Sequence, residues 1–513
     1  MPKPESIRLV GPMRGRIQTA ALRQRSPLRV TSALCALLLS PCLSGCILGT
    51  ERPDLNLEVP VAYRAGPKSE AAADKAPPAI DWWRGFRSNE LSSLMDAAQT
   101  NNLDIAVAVA QIIQADAQVG VSGAALLPTI SGSASAEREH GGGGSSGTSS
   151  SGLGTTASGS SSTVSIFSTG LTASYMLDFW GKNRATLAAS EETATASRYN
   201  RDVVTLTTLA TVANTYFEVL AAQDQLAVTK RDLAAAERIL KVIKAQFSGG
   251  TASQLDLSQQ EALVATQKAA IPPLEVTVGQ DTAALALLVG RAAANFNLRG
   301  GSLSRIAVPR VTPGLPSQLL YQRPDIRQAE ATLASSNFSV ESARAAFFPQ
   351  IQLTGTTGFQ SAALASLFTP GAWFYTLTAS LTQPIFDGFL LESELKQAKG
   401  VQLQNLQTYR KTVLSAFSDV EKALIALQKF TLQEKLQNDV VTASRKAFDV
   451  AEKQYGGGTV NLITVLQTEQ TLFTAENNLV TVRLNKMLAA SSLFQALGGG
   501  WTPQGTLATA SVE

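Results

Sequence analysis

The sequence predicts a mainly α protein with a small β part, built twice from one unit: a helix, a short strand pair, a very long helix, a Gly-rich turn and a second long helix. Three observations predict it. Short landmarks recur at nearly fixed spacing: AALLP at 124–128 returns as AAFFP at 345–349, LTAS at 171 returns at 377, FSGGT at 247–251 returns as YGGGT at 455–459, and the LVG ending at Gly290 returns as the ALG ending at Gly498. Long stretches have apolar residues every three or four positions, the signature of helices with one buried face. Short stretches alternate apolar and polar residues, the signature of strands. The repeat offset falls from 221 to 206 across the strand pair, so the first copy carries about fifteen extra residues there.

Residues 1–45 come first and do not belong to the repeats. They carry seven Lys or Arg and one Glu, and Arg14, Arg16, Arg23, Arg25 and Arg29 precede the apolar run Val30–Leu43. A basic segment followed by an apolar one and then small residues is the order of a secretory signal peptide. The run ends in LSGC at 43–46, which resembles the bacterial lipobox cleaved just before a lipidated cysteine, so Cys46 is the expected lipidation site and mature N-terminus. Ile47 stands where an aspartate would retain such a lipoprotein at the inner membrane, and the outer membrane is favoured.

The first repeat spans 46–300. Its elements are a helix over about 90–124, strands over about 129–138 and 164–177, and helices over about 182–247 and 253–290. The tract Gly141–Ser162 is a Gly/Ser-rich loop. From Gly181 to Phe247 there is no proline, and Leu206, Leu209, Val212, Leu233, Leu240, Ile243 and Phe247 keep helical spacing. Sixty-odd residues at ~1.5 Å each make a helix of ~100 Å. Pro272 and Pro273 should kink the return helix, because each lacks an N–H and its ring clashes with the preceding turn.

The second repeat with its C-terminal tail spans 301–513, with a helix over about 323–347, strands over about 350–359 and 373–382, and helices over about 392–455 and 460–497. The last strand has the clearest alternation, with Trp373, Tyr375, Leu377, Ala379 and Leu381 against Thr376, Thr378, Ser380 and Thr382. Its length fits the ~9–11 residues of a tilted membrane-crossing strand. A half-buried strand of a soluble sandwich has the same pattern.

Composition narrows the functions. Charged residues are 16% of the chain, and there are one histidine and three cysteines, too few parts for multi-ligand zinc sites, disulfide frameworks or histidine-based catalysis. No cofactor, metal or catalytic residue is expected. The net charge of +3 resolves into +6 for the leader and −3 for the rest, leaving no basic stripe for a phosphate backbone and no expectation of nucleic acid. No window of the mature chain approaches the ~18–20 consecutive apolar residues of a spanning helix. A bilayer otherwise admits closed β-barrels only. Four strands cannot close, since known bacterial outer-membrane barrels begin at eight, so membrane strands here require several copies; three would supply twelve.

At this point the motifs become specific. DWWRGF at 81–86, LALLVG at 285–290, LPSQLLYQRPDIRQAEATL at 315–333, ARAAFFPQIQLTG at 343–355, PIFDGF at 384–389 and LFQALGGGW at 493–501 cover nearly the whole mature chain. With them the chain resembles the outer-membrane efflux proteins, the TolC-like channels, and within these the OprM-like, NodT-type lipoprotein branch serving resistance-nodulation-division systems. The resemblance implies a homotrimer: a twelve-stranded transmembrane β-barrel continued by a periplasmic α-helical barrel, anchored in outer-membrane lipid. It also implies a passive exit duct for drugs or other small toxic compounds, working with a periplasmic adaptor (membrane fusion) protein and an inner-membrane resistance-nodulation-division transporter.

The same resemblance places the turns at Gly249, Gly250, Gly457 and Gly458 at a periplasmic tip where the pore closes. Leu462, Ile463, Leu466 and Gln467 follow at helical spacing, and matching YGGGTVNLITVLQTE to the family pattern puts Ile463 and Gln467 at an apolar and a polar constriction. Many relatives have aspartate where this chain has Gln467, so a ring of three glutamines would replace an acidic one. Asp256 and Glu469 lie near enough to supply acid, or are ordinary solvated helix charges. RPDI at 323–326 has a local explanation, with Pro324 in the first helical turn and Asp325 at the positive end of the helix dipole.

Some motifs mislead. HGGG at 140–143, GGSSG at 143–147 and the glycines 142, 144 and 147 imitate hydrolase and dinucleotide-binding signatures, but all lie in one low-complexity tract without the strand–turn–helix context those sites need. Two rival functions keep the helices and anchor: a channel for type I protein secretion, and a structural coiled lipoprotein that does not conduct.

Overall fold

The computed structural model describes residues 79–141, 162–309 and 316–499, with a few isolated positions (54, 57, 59, 60, 62–64, 314 and 501). The leader, Cys46 and the tract 142–161 lie outside the described residues. The helices are α1 (Asn89–Asn101), α2 (Leu103–Ala124), α3 (Lys182–Ser248), α4 (Gln254–Leu288), α5 (Pro316–Gln322), α6 (Pro324–Ala345), α7 (Leu390–Gly456) and α8 (Leu462–Ala496). The strands are β1 (Thr129–Gly141), β2 (Ser162–Leu177), β3 (Gln350–Ser361) and β4 (Trp373–Thr382).

The two halves match in length. Both α3 and α7 have 67 residues, both α4 and α8 have 35, and each helix of the second hairpin starts 208 residues after its counterpart. Each long helix is ~100 Å of continuous helix. Threonine and serine hydroxyls within it bond back to the carbonyl four residues earlier, as Thr193 does to Ala189 and Thr412 to Thr408. They also tie helices together at short range, through Ser122 with Ser190 at 2.7 Å and Thr193 with Ser335 at 3.0 Å. Small hydroxyl residues at these positions let neighbouring backbones approach closely.

One detail departs from the sequence reading. The helix expected over 90–124 is two helices, because Asn102 has an extended backbone and caps α2, accepting from the N–H of Asp104 (2.8 Å) and Ile105 (3.1 Å) while its amide donates to the carbonyl of Leu288. Pro272 and Pro273, where a kink is expected, lie inside α4, which continues through both. Both prolines are exposed, so the carbonyls deprived of a donor lie on the watered side of the helix.

The sheet is antiparallel in the order β1-β2-β3-β4, with β1 and β4 as its edges. Its register sorts side chains into two faces. One row across all four strands is Ile130, Ala173, Gly355 and Leu377, and on the same face lie Tyr175, Leu353 and Ala379, then Leu177, Ile351 and Leu381. Rows on the opposite face are Thr129, Ser174, Thr354 and Thr378, then Ser131, Thr172, Thr356 and Thr376. The apolar face is bare: Leu377 is 80% exposed and Tyr375 63%.

The core gathers around the middle of the hairpins. Trp82, Trp83 and Phe86 of DWWRGF are buried there, Trp82 stacking on Phe494 of α8 (centroids 5.0 Å apart) and Phe86 meeting Phe217 of α3 at 5.1 Å. One short segment therefore pins both repeats. The glycines that end the return helices do the same work in each half. Gly290 (φ +68°) abuts the carbonyl of Asn101 at the end of α1, and Gly498 (φ +71°) abuts that of Gln322 at the end of α5, where an added Cβ would lie 2.3 and 2.1 Å from the oxygen. Beside Gly498, the half-buried RPDI motif is a clamp: Arg323 grips Asp325 with two bonds (3.0 and 2.7 Å), donates to the carbonyl of Ala496 at 3.1 Å and faces Asp419.

By length and composition, two helical stretches, Asn89–Ala124 and Lys182–Ser248, contain windows apolar enough to cross a membrane, although neither holds an unbroken apolar run of that length. Val, Ile and Leu spread among polar residues raise the mean without forming a run. The window in α3 is mostly buried against other helices, whereas that in α1–α2 is only 11% buried, with Leu103, Val107, Ile113 and Val121 exposed on α2.

Gly498→Ala should cost about 2–4 kcal/mol of stability, since it adds left-handed strain to a backbone clash. Gly457→Ala, at helical φ and with an added Cβ no nearer than 3.6 Å to any neighbour, should cost under about 0.5 kcal/mol more than an exposed helix substitution. Urea denaturation midpoints of the two variants test the contrast.

Candidate gate at the hairpin tips

Both long helices end in the same hydrogen-bonded turn. Thr251 N–H donates to Gln246 O (2.8 Å) and Gly250 N–H to Phe247 O (3.0 Å); Thr459 and Gly458 repeat this on Gln454 (2.9 Å) and Tyr455 (3.0 Å). This is the Schellman pattern, which needs a left-handed residue after the helix. Gly250 (φ +75°) and Gly458 (φ +71°) supply it, while Gly249 and Gly457 keep helical angles.

The return helices then start on side-chain caps. Ser253 and Asp256 form a capping box, each side chain accepting from the other's backbone N–H (3.1 and 3.0 Å). Asn461 accepts from the N–H of Thr464 at 3.0 Å. Asp256, a candidate gate residue from sequence, is thus engaged in holding its own helix start.

Leu462, another candidate, is buried at 3% exposure in a cluster with Ile239, Ile243, Phe448, Ala451 and Val465, which seals α3, α7 and α8 together near the tips. Its side chain belongs to the seam. Ile463 is 49% exposed and Gln467, one turn on, is exposed as well, so these two share one outward face of α8. The turns themselves are linked across hairpins by Tyr455 Oη, which donates to Gln246 Oε1 at 3.0 Å. Partial burial, with Asp256 nearby, pushes the Tyr455 hydroxyl above its ordinary value.

Glu469 departs from the reading of a solvated helix charge. It is 2% exposed, and neither carboxylate oxygen has a hydrogen-bond partner among the described residues. The signal for this was present in the spacing, since Leu462, Val465 and Glu469 fall on one helical face, but the letter E concealed it. Among the described residues no group of three or more His, Cys, Asp or Glu is arranged to hold a metal ion.

An open sheet with one apolar and one hydroxyl-rich face, continued by paired helical hairpins that end in tight turns, is the architecture of an outer-membrane channel chain. The family model for outer membrane efflux proteins matches residues 94–291 and 315–499. The chain is 35% identical over 468 residues to the pyoverdine export outer membrane protein OpmQ of Pseudomonas aeruginosa, covering 90% of this chain and 96% of that one. It is 30% identical over 465 residues to the toluene efflux pump outer membrane protein TtgC of Pseudomonas putida, covering 90% and 94%. Among solved structures it is similar to the Campylobacter jejuni CmeC outer membrane channel, with a TM-score of 0.80 at 25% identity over 88% of this chain and 95% of that one. The open state of the Neisseria gonorrhoeae MtrE outer membrane channel gives 0.74 at 28%, over 88% and 97%. The chain belongs to the outer membrane efflux protein family, and it is an outer-membrane efflux channel.

Removing the capping box by Ser253→Ala with Asp256→Ala should cost about 1–2 kcal/mol locally. Hydrogen–deuterium exchange should accelerate over the first turn of α4 and remain unchanged at the first turn of α8.

Proposed function

We propose that three copies of this chain form a passive exit duct, each contributing four strands to a twelve-stranded barrel and two hairpins to a helical tube in the periplasm. The observation that carries the reading is the sheet: two open edges beside a bare apolar face. In hydrocarbon each unpaired backbone group costs several kcal/mol, and pairing β4 of one copy with β1 of the next removes both edges.

Helix packing within one chain supports the same assembly. Beyond its hairpin partner α4, α3 packs against both α2 and α6, whereas among the described residues α7, beyond its hairpin partner α8, packs along α6 and has no counterpart of α2. The vacant place beside α7 is the one that α2 of a second copy would fill. α2 brings exposed Leu103, Val107 and Ile113 to it, and α7 exposes Val401, Leu403 and Leu414. At the junction with the sheet, Trp180 stacks on Phe348 at 4.8 Å within the chain, while Leu127, the counterpart of Phe348, is exposed, as are Phe386 and Phe389 at the second junction.

The hydroxyl-rich face of the sheet then lines water, which suits conduction of solutes without chemistry on them. The cargo class is small toxic or secreted compounds, in keeping with relatives named for toluene efflux and pyoverdine export. Driving force and cargo come from an inner-membrane resistance-nodulation-division transporter through a periplasmic adaptor protein docking at the hairpin tips. Cys46, lipid-modified after removal of residues 1–45, adds an anchor in the outer membrane. Ile463 and Gln467, on the free face of α8, are the residues assigned to the constriction, with the turns at Gly250 and Gly458 setting its position.

Wild-type trimers in planar bilayers should open rarely, and Ile463→Ala with Gln467→Ala should raise open probability about tenfold or more, a loss of at least ~1.4 kcal/mol of closing energy. Equal, wide-open conductance in both would remove the constriction from these residues. Ile113→Asp on α2 should convert trimers to monomers on native gels, and Cys46→Ser should abolish incorporation of labelled palmitate.

A further inference from the structure

The two hairpin tips share a backbone but not a charge pattern. In the first, Lys244 of α3 and Glu261 of α4 form an ion pair at 3.2 Å, both about half exposed. The residues 208 places later are Glu452 of α7 and Glu469 of α8. The second copy thus keeps the carboxylate and replaces its cation with another carboxylate. The charged groups facing Glu469 are Asp232 and Arg238 from α3 and Glu452 from α7, three acids with Glu469 itself against one base. Arg238 is already engaged with Glu452 at 3.7 Å. Farther along α8, Glu476 holds Arg231 and Arg445, so those two guanidinium groups serve a different carboxylate.

A buried carboxylate with no hydrogen bond and like-charged neighbours is held more easily as the neutral acid. Burial first, then Asp232 and Glu452, push the Glu469 carboxyl up to about 8, with Arg238 opposing. Burial and then Glu476 push Asp232 up to about 6. The folded seam therefore keeps a proton that an unfolded glutamate has already lost. Its stabilisation is complete below the ordinary carboxylate range and is lost as pH rises through about 8.

We propose that Glu469 is a proton-held latch on the gate: protonated, it lets α8 stay seated against α3 and α7 two residues beyond Gln467, and deprotonated, it repels Glu452 and Asp232 and frees the α7–α8 tip to part from α3. The inference rests on the channel reading above. The first hairpin, with its Lys244–Glu261 pair intact, is the fixed partner and the second is the moving one.

The test is open probability of reconstituted trimers between pH 6 and pH 9, a range over which a carboxyl titrating near 8 goes from about 1% to about 90% ionised. Wild type should show a rise of about tenfold with its midpoint near 8. Glu469→Gln should stay at the low, pH 6 level throughout. Glu452→Lys, which restores the charge order of the first hairpin, should also stay low, and Glu261→Gln should keep the wild-type rise. Infrared difference spectra should show a protonated-carboxyl band that titrates with the same midpoint and is missing in Glu469→Gln. A conducting channel whose pH response is unchanged in Glu469→Gln, or whose carboxyl band is absent at pH 6, overturns the latch and leaves the channel reading standing. No conductance from verified trimers of any variant at any pH overturns the channel reading and the latch with it.

Discussion

Backbone N–H and C=O groups at the rim of a sheet must be satisfied, and hydrocarbon offers nothing to satisfy them. Everything unusual about this chain answers to that constraint. Its four strands present a predominantly apolar face and two unpaired edges, an arrangement that a soluble domain avoids. The neighbouring helices carry the matching deficiency, with α7 lacking the partner that α3 has and α2 wearing an apolar surface in water. Closure between copies, as proposed above, would complete the strand edges, the helix faces and the junction aromatics together.

Duplication with divergence is the second theme. Features that set geometry are kept in both copies: helix lengths, the left-handed glycine after each long helix, and the return-helix glycine against the end of a preceding short helix. Features that set chemistry have drifted apart. The capping box of α4 becomes a plain asparagine cap on α8, and the exposed pair Lys244–Glu261 becomes the buried, unpaired Glu469 beside Glu452. Two hairpins built on one plan can thus differ in how readily they move, because the packing is shared and the charge is not.

Most of the architecture was legible in the residues. The four long helices and β4 fall within about two residues of their sequence-based bounds, because an unbroken 3.6-residue period and glycine stops are local signals. β1 extends three residues past its expected end, and the tract 142–161 lies outside the described residues. What escaped was contextual. Asn102 looked like a polar residue within one helix, whereas Leu288, nearly two hundred residues away, gives it a reason to cap. Leu462 and Ile463 are adjacent and both apolar, and only the positions of α3 and α7 decide that the first is buried and the second is not. Glu469 was discounted because charge in a sequence normally means solvent, a rule that fails where a neighbouring helix closes over the position.

The equal lengths of the hairpins carry a constraint on how such a chain can change. A heptad inserted into α3 without a matching insertion in α4, α7 and α8 would lift one turn ~10 Å past the other and separate Tyr455 from Gln246. The chain behaves as a pair of matched rulers. Its reach can be altered in evolution or by engineering only through four coordinated insertions in register, so single indels in these helices should be purged while those in the loop between β1 and β2 accumulate freely.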